Sequence, residues 1–116
     1  MNVINHGKWE RHKPKKGHPD APPNTMYARN DKGDDWYDYI RGEHFKEGSV
    51  KIACAFMGDL WVVGPAVYEA DRLFPANQMV LEITDYEGDD PQRDFGGKSY
   101  NADSNEFKTV DLNASD

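Results

Sequence analysis

The residues of this chain that could do chemistry are few, and most of them lie in loops. Gly96-Gly97-Lys98-Ser99 has the composition of the end of a phosphate-binding loop, in which backbone N–H groups and a lysine hold phosphates. Such a loop needs a further glycine five positions before its Gly-Lys pair, and Gln92 occupies that position. The segment also has the composition of a strand. The sequence therefore predicts no nucleotide-binding site.

Two groups of side chains could ligate a metal ion. The first is acidic and consists of Asp85, Glu87, Asp89 and Asp90. Carboxylates of this kind bind Ca²⁺, but Gly88 comes too early for an EF-hand loop and no bidentate glutamate ends the segment. The second consists of His6, His12 and His18, whose spacing places no pair on one helical face. We interpret both groups as solvated, and expect no metal and no cofactor.

Nucleophilic catalysis is also not predicted. The single cysteine, Cys54, lies in the apolar run Ile52–Phe56, which favours a small buried hydrophobic residue. One cysteine excludes an internal disulfide, and this fits a reducing cytoplasm. No base can be assigned to it or to any serine from the sequence. We therefore expect a protein that is not an enzyme.

The N-terminal segment is basic and rich in proline. Residues 1–18 hold five lysines and arginines against one acid, whereas the whole chain has a net charge of -7. Prolines disfavour helix and central strand, so residues 1–24 are interpreted as an extended arm. The arm could order on an acidic neighbouring subunit, remain solvated or bind nucleic acid. Its predicted contact residues are Trp9, Lys13, Lys15 and Lys16.

The supply of apolar residues restricts where a core can form. Hydrophobic residues make up 37% of the chain, and the mean hydropathy is -0.92. Because residues 1–48 contain few aliphatic side chains, the core must come from the remainder. The predicted organisation is therefore the arm, a β-rich domain over residues 25–110 and a polar tail over residues 111–116. No apolar run is long enough for a membrane span.

The strongest predicted elements lie in Ser49–Thr84. Ser49–Met57 is a strand, Gly58-Asp59 is a tight turn, and Leu60–Gly64 is the returning strand. Pro65 then predicts an edge or a bulge. Gln78–Thr84 is the third clear strand.

Weaker signals lie on both sides of this stretch. Thr25–Arg29 and a terminal hairpin of Phe95–Tyr100 and Glu106–Val110 are expected strands. Asp35–Arg41 fits a helix with Asp35 as its N-cap, but its aromatic content favours a strand. Met1–Asn5 could add an edge strand to a neighbour. The predicted fold is mainly β, a small antiparallel sandwich or a partly open barrel with an extended N-terminal arm.

Six short segments carry a resemblance to a known family: Asn5–Glu10 (NHGKWE), Asp20–Asn24 (DAPPN), Tyr27–Arg29 (YAR), Asp35–Tyr39 (DWYDY), Phe95–Tyr100 (FGGKSY) and Asn105–Phe107 (NEF). In these segments the chain resembles small accessory proteins of tailed bacteriophages that are associated with tail and tail-fibre modules. The family has no defined catalytic residues. The resemblance implies a virion structural or assembly role, in the virion and in the host cytoplasm during assembly.

Two functions are expected from these signals. In the first, the chain binds other virion proteins in a homo- or hetero-oligomeric assembly, with Trp9, Trp36 and Trp61 as anchors. Trp61 could instead belong to the core. In the second, the chain inhibits a host defence or nucleic-acid-binding protein through the acidic residues Glu87, Asp89 and Asp90. Neither function predicts a nucleic acid or a membrane as partner.

Overall fold

The computed structural model describes residues 1–12 and 26–109, and strands make up most of it. The strands are β1 (Val3–His12), β2 (Tyr27–Asn30), β3 (Val50–Met57), β4 (Leu60–Val67), β5 (Gln78–Ile83), β6 (Ser99–Asn101) and β7 (Glu106–Lys108). Two short helices, α1 (Trp36–Arg41) and α2 (Pro91–Phe95), and a 3₁₀ turn at Ala70–Arg72 complete the described part. The prediction of a mainly β fold is confirmed. No helix in the described ranges is long and apolar enough to cross a membrane.

All seven strands belong to one antiparallel sheet with the order β2-β1-β5-β3-β4-β6-β7. The sheet is not closed into a barrel, and a single sheet takes the place of the two sheets of a sandwich. A second sheet is not needed, because short helices and connecting segments cover the two faces. Phe95 of α2 packs in the core cluster on one face, and Trp36 of α1 packs in the cluster on the other. We call these the α2 face and the α1 face.

Alternation along the central strands divides the core between the two faces. Ile52, Cys54 and Leu81 are fully buried on the α2 face. Ala53 and Val80, their neighbours in sequence, are fully buried on the α1 face. Strands that are buried on both faces read as continuous apolar runs, which is the pattern of β3 and β5.

Residues 3–12 form a strand of the sheet, so this part of the predicted extended arm is corrected. β1 lies between β2 and β5, and Trp9 is fully buried in the α1 face. The strand pattern is broken where the register with β5 shifts between Asn5 and Lys8. Gly7 lies within this bulge with a φ of 87°, a value that favours glycine. The rest of the predicted arm, residues 13–24, lies outside the described residues.

The segment Trp36–Arg41 is a helix, so the strand prediction for it is wrong. The side chain of Asp35 accepts a hydrogen bond from the Asp38 backbone N–H at the helix start. Trp36, Tyr39 and Ile40 share the face that packs on the sheet. The cap and the helical spacing together outweigh the strand preference of aromatic residues, which reflects packing on a pleated surface.

The β3–β4 hairpin has the predicted turn. Met57 pairs with Leu60 across Gly58-Asp59, and Gly58 has a φ of 67°. Near Pro65 the register shifts between Ile52 and Cys54, as expected for a bulge. The prediction of a third strand is confirmed by β5, which pairs antiparallel with β3. The predicted terminal hairpin is confirmed by the antiparallel pairing of β6 with β7.

Helix α2 follows directly after the acidic group Asp85, Glu87, Asp89 and Asp90, and it includes Phe95, which was predicted to begin a strand. Its first residue is Pro91, and the Asp90 side chain accepts a hydrogen bond from the Arg93 backbone N–H. Gln92 covers the strand edge that Pro65 interrupts. Its side chain accepts from the Ala66 N–H at 2.9 Å and donates to the Gly64 carbonyl at 3.0 Å.

Candidate functional site

The α1 face holds a buried polar cluster centred on Glu82. Glu82 is 1% exposed and points from β5 into the space below α1. Its Oε2 accepts hydrogen bonds from the Ser49 hydroxyl and from the Lys46 backbone N–H, both at 2.6 Å. Its Oε1 lies 2.8 Å from His6 Nε2. These contacts join β1, β5 and the loop before β3 at one carboxylate.

Hydrogen bonds decide the charge state of this cluster. Burial alone would raise the pKa of Glu82, but the hydrogen bonds from Ser49, His6 and Lys46 lower it below its usual value. Glu82 is therefore a carboxylate. Lys51, opposite Glu82 in the β3–β5 pairing, is also buried and donates to the Ser49 carbonyl at 2.9 Å and the Tyr68 carbonyl at 2.7 Å. Burial lowers the pKa of Lys51, while the Glu82 carboxylate favours its charged form.

The hydrogen bonds in this cluster do not activate the Ser49 hydroxyl as a nucleophile. His6 Nδ1 lies 2.6 Å from the Tyr39 hydroxyl, so His6 stands between Tyr39 and Glu82. Ser49 donates to Glu82 and not to His6, so His6 is not positioned as its base. Burial, followed by the nearby carboxylates of Asp34 and Glu82, raises the pKa of Tyr39 and disfavours a phenolate. The hydrogen bonds of the cluster therefore link β1, β5, α1 and the loop before β3 to one another.

Cys54 and the acidic side chains offer no catalytic or metal centre in the described residues. Burial raises the pKa of the Cys54 thiol to about 12, which leaves it protonated at neutral pH. Among the residues that the structure describes, no three His, Cys, Asp or Glu side chains converge in a way that could hold a metal ion.

Large apolar side chains are exposed at the end of the β3–β4 hairpin. Phe56 is 56% exposed, Met57 is 62% exposed and Leu60 is 45% exposed. The ring of the half-buried Trp61 lies 5.0 Å from the ring of Phe56. Phe56 pairs with Trp61, and Met57 pairs with Leu60. Because successive residues of a strand point to opposite faces, the two pairs expose apolar side chains on both faces of the hairpin end. We call these four residues the hairpin-end patch.

The sheet register explains why the patch projects. The pairing of β3 with β5 ends at Ala55, which is opposite Gln78. Phe56 and Met57 therefore extend beyond the start of β5 and beyond the packed part of the sheet. A cation borders the patch, because Lys8 Nζ lies 5.4 Å from the centre of the Trp61 ring. The patch thus combines apolar side chains with one aromatic ring that stacks under a lysine.

The predicted tryptophan anchors differ in position. Trp9 and Trp36 are buried and pack edge to face at 5.0 Å in the α1-face core. Trp36 donates from Nε1 to the Leu73 carbonyl at 3.0 Å. Both are core residues, which corrects their prediction as surface anchors: in a chain poor in aliphatic residues, aromatic rings fill the core instead. Trp61 alone reaches a surface patch.

The other predicted contact residues are not brought together with Trp61. Lys13, Lys15 and Lys16 lie outside the described residues. Glu87, Asp89 and Asp90 are exposed in the segment after β5, whereas the hairpin-end patch lies beyond the start of β5. Asp89 pairs with Arg93 at 2.9 Å, and Asp90 caps α2. Partial burial and the hydrogen bond to Asp94 raise the pKa of Tyr86 in the same segment to about 12.

Sequence reasoning missed both the Glu82 cluster and most of the hairpin-end patch. For the patch a signal existed, since Met57 and Leu60 flank a predicted two-residue turn where polar residues are usual. For Glu82 there was none, because its partner His6 is 76 residues away in the chain.

Comparisons with known proteins do not assign the chain to a family. No protein-family model matches it, and no curated protein or solved structure gives a significant match. The function must therefore be argued from the surfaces described above.

Proposed function

We propose that this chain is a non-enzymatic assembly protein that binds a neighbouring protein through the hairpin-end patch. The observation that carries the proposal is the exposure of Phe56, Met57 and Leu60 together at the end of one projecting hairpin.

The patch has the composition of an interface centre. Full burial of a large apolar side chain contributes about 1.5–3 kcal/mol, so three such residues supply a substantial part of a binding energy. Aromatic residues are enriched among the side chains that dominate interface energetics. Lys8, beside Trp61, provides the polar rim that interfaces usually carry.

The setting that we propose is a bacteriophage particle, with other virion proteins as partners in a homo- or hetero-oligomeric assembly. This part rests on the resemblance of the sequence segments quoted above. In this setting the chain is made in the host cytoplasm and is then incorporated into the virion. Lys13, Lys15 and Lys16 are proposed as further contacts with an acidic neighbour.

Site-specific photocrosslinking tests this proposal. A photoreactive phenylalanine at Phe56 should give a crosslink to one virion protein in assembling particles. The matched control is the same photoreactive residue at Tyr68, which is 45% exposed but lies after the other end of β4. Absence of a crosslink from position 56, or an equal yield from both positions, would contradict binding through the patch.

A second candidate is an inhibitor that presents the acidic segment after β5 to a basic host protein. The observation in its favour is the exposure of Glu87 and Asp89. Arg93 neutralises part of this segment through Asp89 and Asp94, which weakens the case. Changing Glu87→Gln and Asp89→Asn together should abolish capture of a host nucleic-acid-binding protein, while leaving the Phe56 crosslink unchanged.

A further inference from the structure

One edge of β1 has no strand partner among the described residues. On one side, β1 pairs with β5 from Val3 to Trp9. On the other side, β2 pairs only with Trp9–His12. In the described part of the chain, the second edge of residues 3–5 is therefore without a strand partner, and such an edge is a template for pairing with another strand. Further along, the Gly7 N–H donates to the Asn5 side chain at 2.7 Å.

Residues 2–5 of this open edge lack the charged side chains that protect the other edges of the sheet. Residues 2–5 carry no charged side chain in a protein with a net charge of -7. Ile4 lies on this edge and is 41% exposed. By contrast, β7 at one end of the sheet alternates the charged residues Glu106 and Lys108. On β2, at the other end of the sheet, the backbone of Arg29 forms an isolated antiparallel β-bridge with Asp35.

We propose that a second copy of this chain pairs with the open edge of β1. The two β1 strands run antiparallel about a two-fold axis at Ile4, so the sheets of both copies become continuous. Each Ile4 then lies opposite its symmetry mate on the α1 face, and Val3 lies opposite Asn5 of the other copy. A two-fold interface must be complementary to itself, and an uncharged strand edge meets this requirement.

Charge and geometry favour a second copy as the occupant. Two copies of an acidic protein repel each other over most of their surfaces, but the uncharged residues 2–5 bring no like charges together. The β1 bulge between Asn5 and Lys8 ends the regular pairing after a few residues. The interface is therefore short, and the dimer should form reversibly as concentration rises.

The proposed dimer edge and the hairpin-end patch are separate surfaces. Ile4 pairs with Glu82, near the end of β5, and the patch projects past Gln78, at the start of β5. Both surfaces can therefore be occupied at once. Loss of self-association does not affect the proposed binding of a neighbour, and the two proposals can fail independently.

Sedimentation equilibrium of the full chain tests the dimer, with any purification tag placed at the C-terminus. The wild type should shift with concentration from 13.2 kDa towards twice that mass. Ile4→Lys should raise the dimer dissociation constant by about tenfold or more, because like charges would lie directly opposite each other. Tyr68→Lys is the matched control, because Tyr68 is 45% exposed and lies outside both β1 and the hairpin-end patch, and it should leave dimerisation unchanged.

Amide hydrogen exchange locates the contact. The amides of Val3–Gly7 should exchange more slowly at high concentration in the wild type but not in Ile4→Lys. A wild type that stays at the monomer mass up to its solubility limit overturns the proposal. A dimer whose exchange at residues 3–7 does not depend on concentration, or one that Tyr68→Lys disrupts as strongly as Ile4→Lys, also overturns it.

Discussion

The Glu82 cluster and the hairpin-end patch reverse the usual distribution of polar and apolar groups. Glu82 is 1% exposed, while Met57 is 62% exposed. The carboxylate is tolerated inside because three donors satisfy it. The methionine is exposed because its strand continues past β5. The contrast teaches that the buried cluster holds segments of this chain together, whereas the exposed patch has no such role in the described fold and is the surface that we propose for contact with another molecule.

Removing the centre of the buried cluster should have the largest effect on stability. Glu82→Ala should lower the free energy of unfolding by about 3–5 kcal/mol, because Lys51 and three donors would lose their acceptor or counter-charge. Chemical denaturation followed by tryptophan fluorescence measures this. Glu87→Gln, on an exposed acid, is the control and should change stability by less than about 0.5 kcal/mol. Equal effects of the two variants would contradict a special role for Glu82.

The pH dependence of stability tests whether the charge of Glu82 contributes to the stability of the cluster. The pKa of Glu82 is lowered in the folded state, so the unfolded state binds the proton more readily. The stabilisation is fully present above the unfolded pKa and is lost as the pH falls through the lower, folded pKa. The difference in stability between the wild type and Glu82→Gln should therefore shrink as the pH falls below about 4. A difference that stays constant over this range would show that the charge of Glu82 does not matter.

A smaller effect is expected at the edge of the cluster. Tyr39→Phe keeps the ring that packs against Trp9 at 5.0 Å but removes the hydroxyl that contacts His6 at 2.6 Å. The expected loss is about 1 kcal/mol, the usual net value of one hydrogen bond. Thermal unfolding measures it. If Tyr39→Phe were as damaging as Glu82→Ala, the cluster would depend on the whole Tyr39-His6-Glu82 chain.

The smallest effect on stability should come from the hairpin-end patch. Phe56→Ser should change the free energy of unfolding by about 0.5 kcal/mol or less, because the side chain is more than half exposed. Capture of the neighbouring protein should nevertheless be lost. A variant that unfolds readily would show that Phe56 belongs to the core, and the comparison between the two regions would then fail.

Local signals made part of this fold predictable. Gly58-Asp59 fixed the β3–β4 turn, and Pro65 indicated the bulge, because both depend on residues that are neighbours in sequence. The place of β1 was not predictable in this way. Its pairing of Val3 with Ile83 joins residues that are far apart in the sequence, and its buried anchor is a tryptophan in a polar segment. The register that exposes Phe56 is likewise set by β5, which is distant in sequence.

The helices show the same division between local and distant causes. Asp35 and Asp90 cap α1 and α2 through neighbours in sequence, so both starts were visible in principle. α1 was assigned to a strand because its aromatic content received more weight than its cap. The burial of Trp36, by contrast, depends on Leu73 and Trp9, which the sequence does not bring together.

The position of β1 in the sheet also determines when the protein can fold during synthesis. β1 leaves the ribosome first, yet β5, its partner along Val3–Trp9, emerges many residues later. Contacts of such long sequence separation slow folding, since the chain must close a large loop before they form. Residues 3–8 of β1, which β2 does not pair, therefore remain without their partner strand in the nascent chain until residue 83 has emerged. The low aliphatic content of β1 reduces the risk of aggregation during this time, because little hydrophobic surface is exposed before β5 pairs with it.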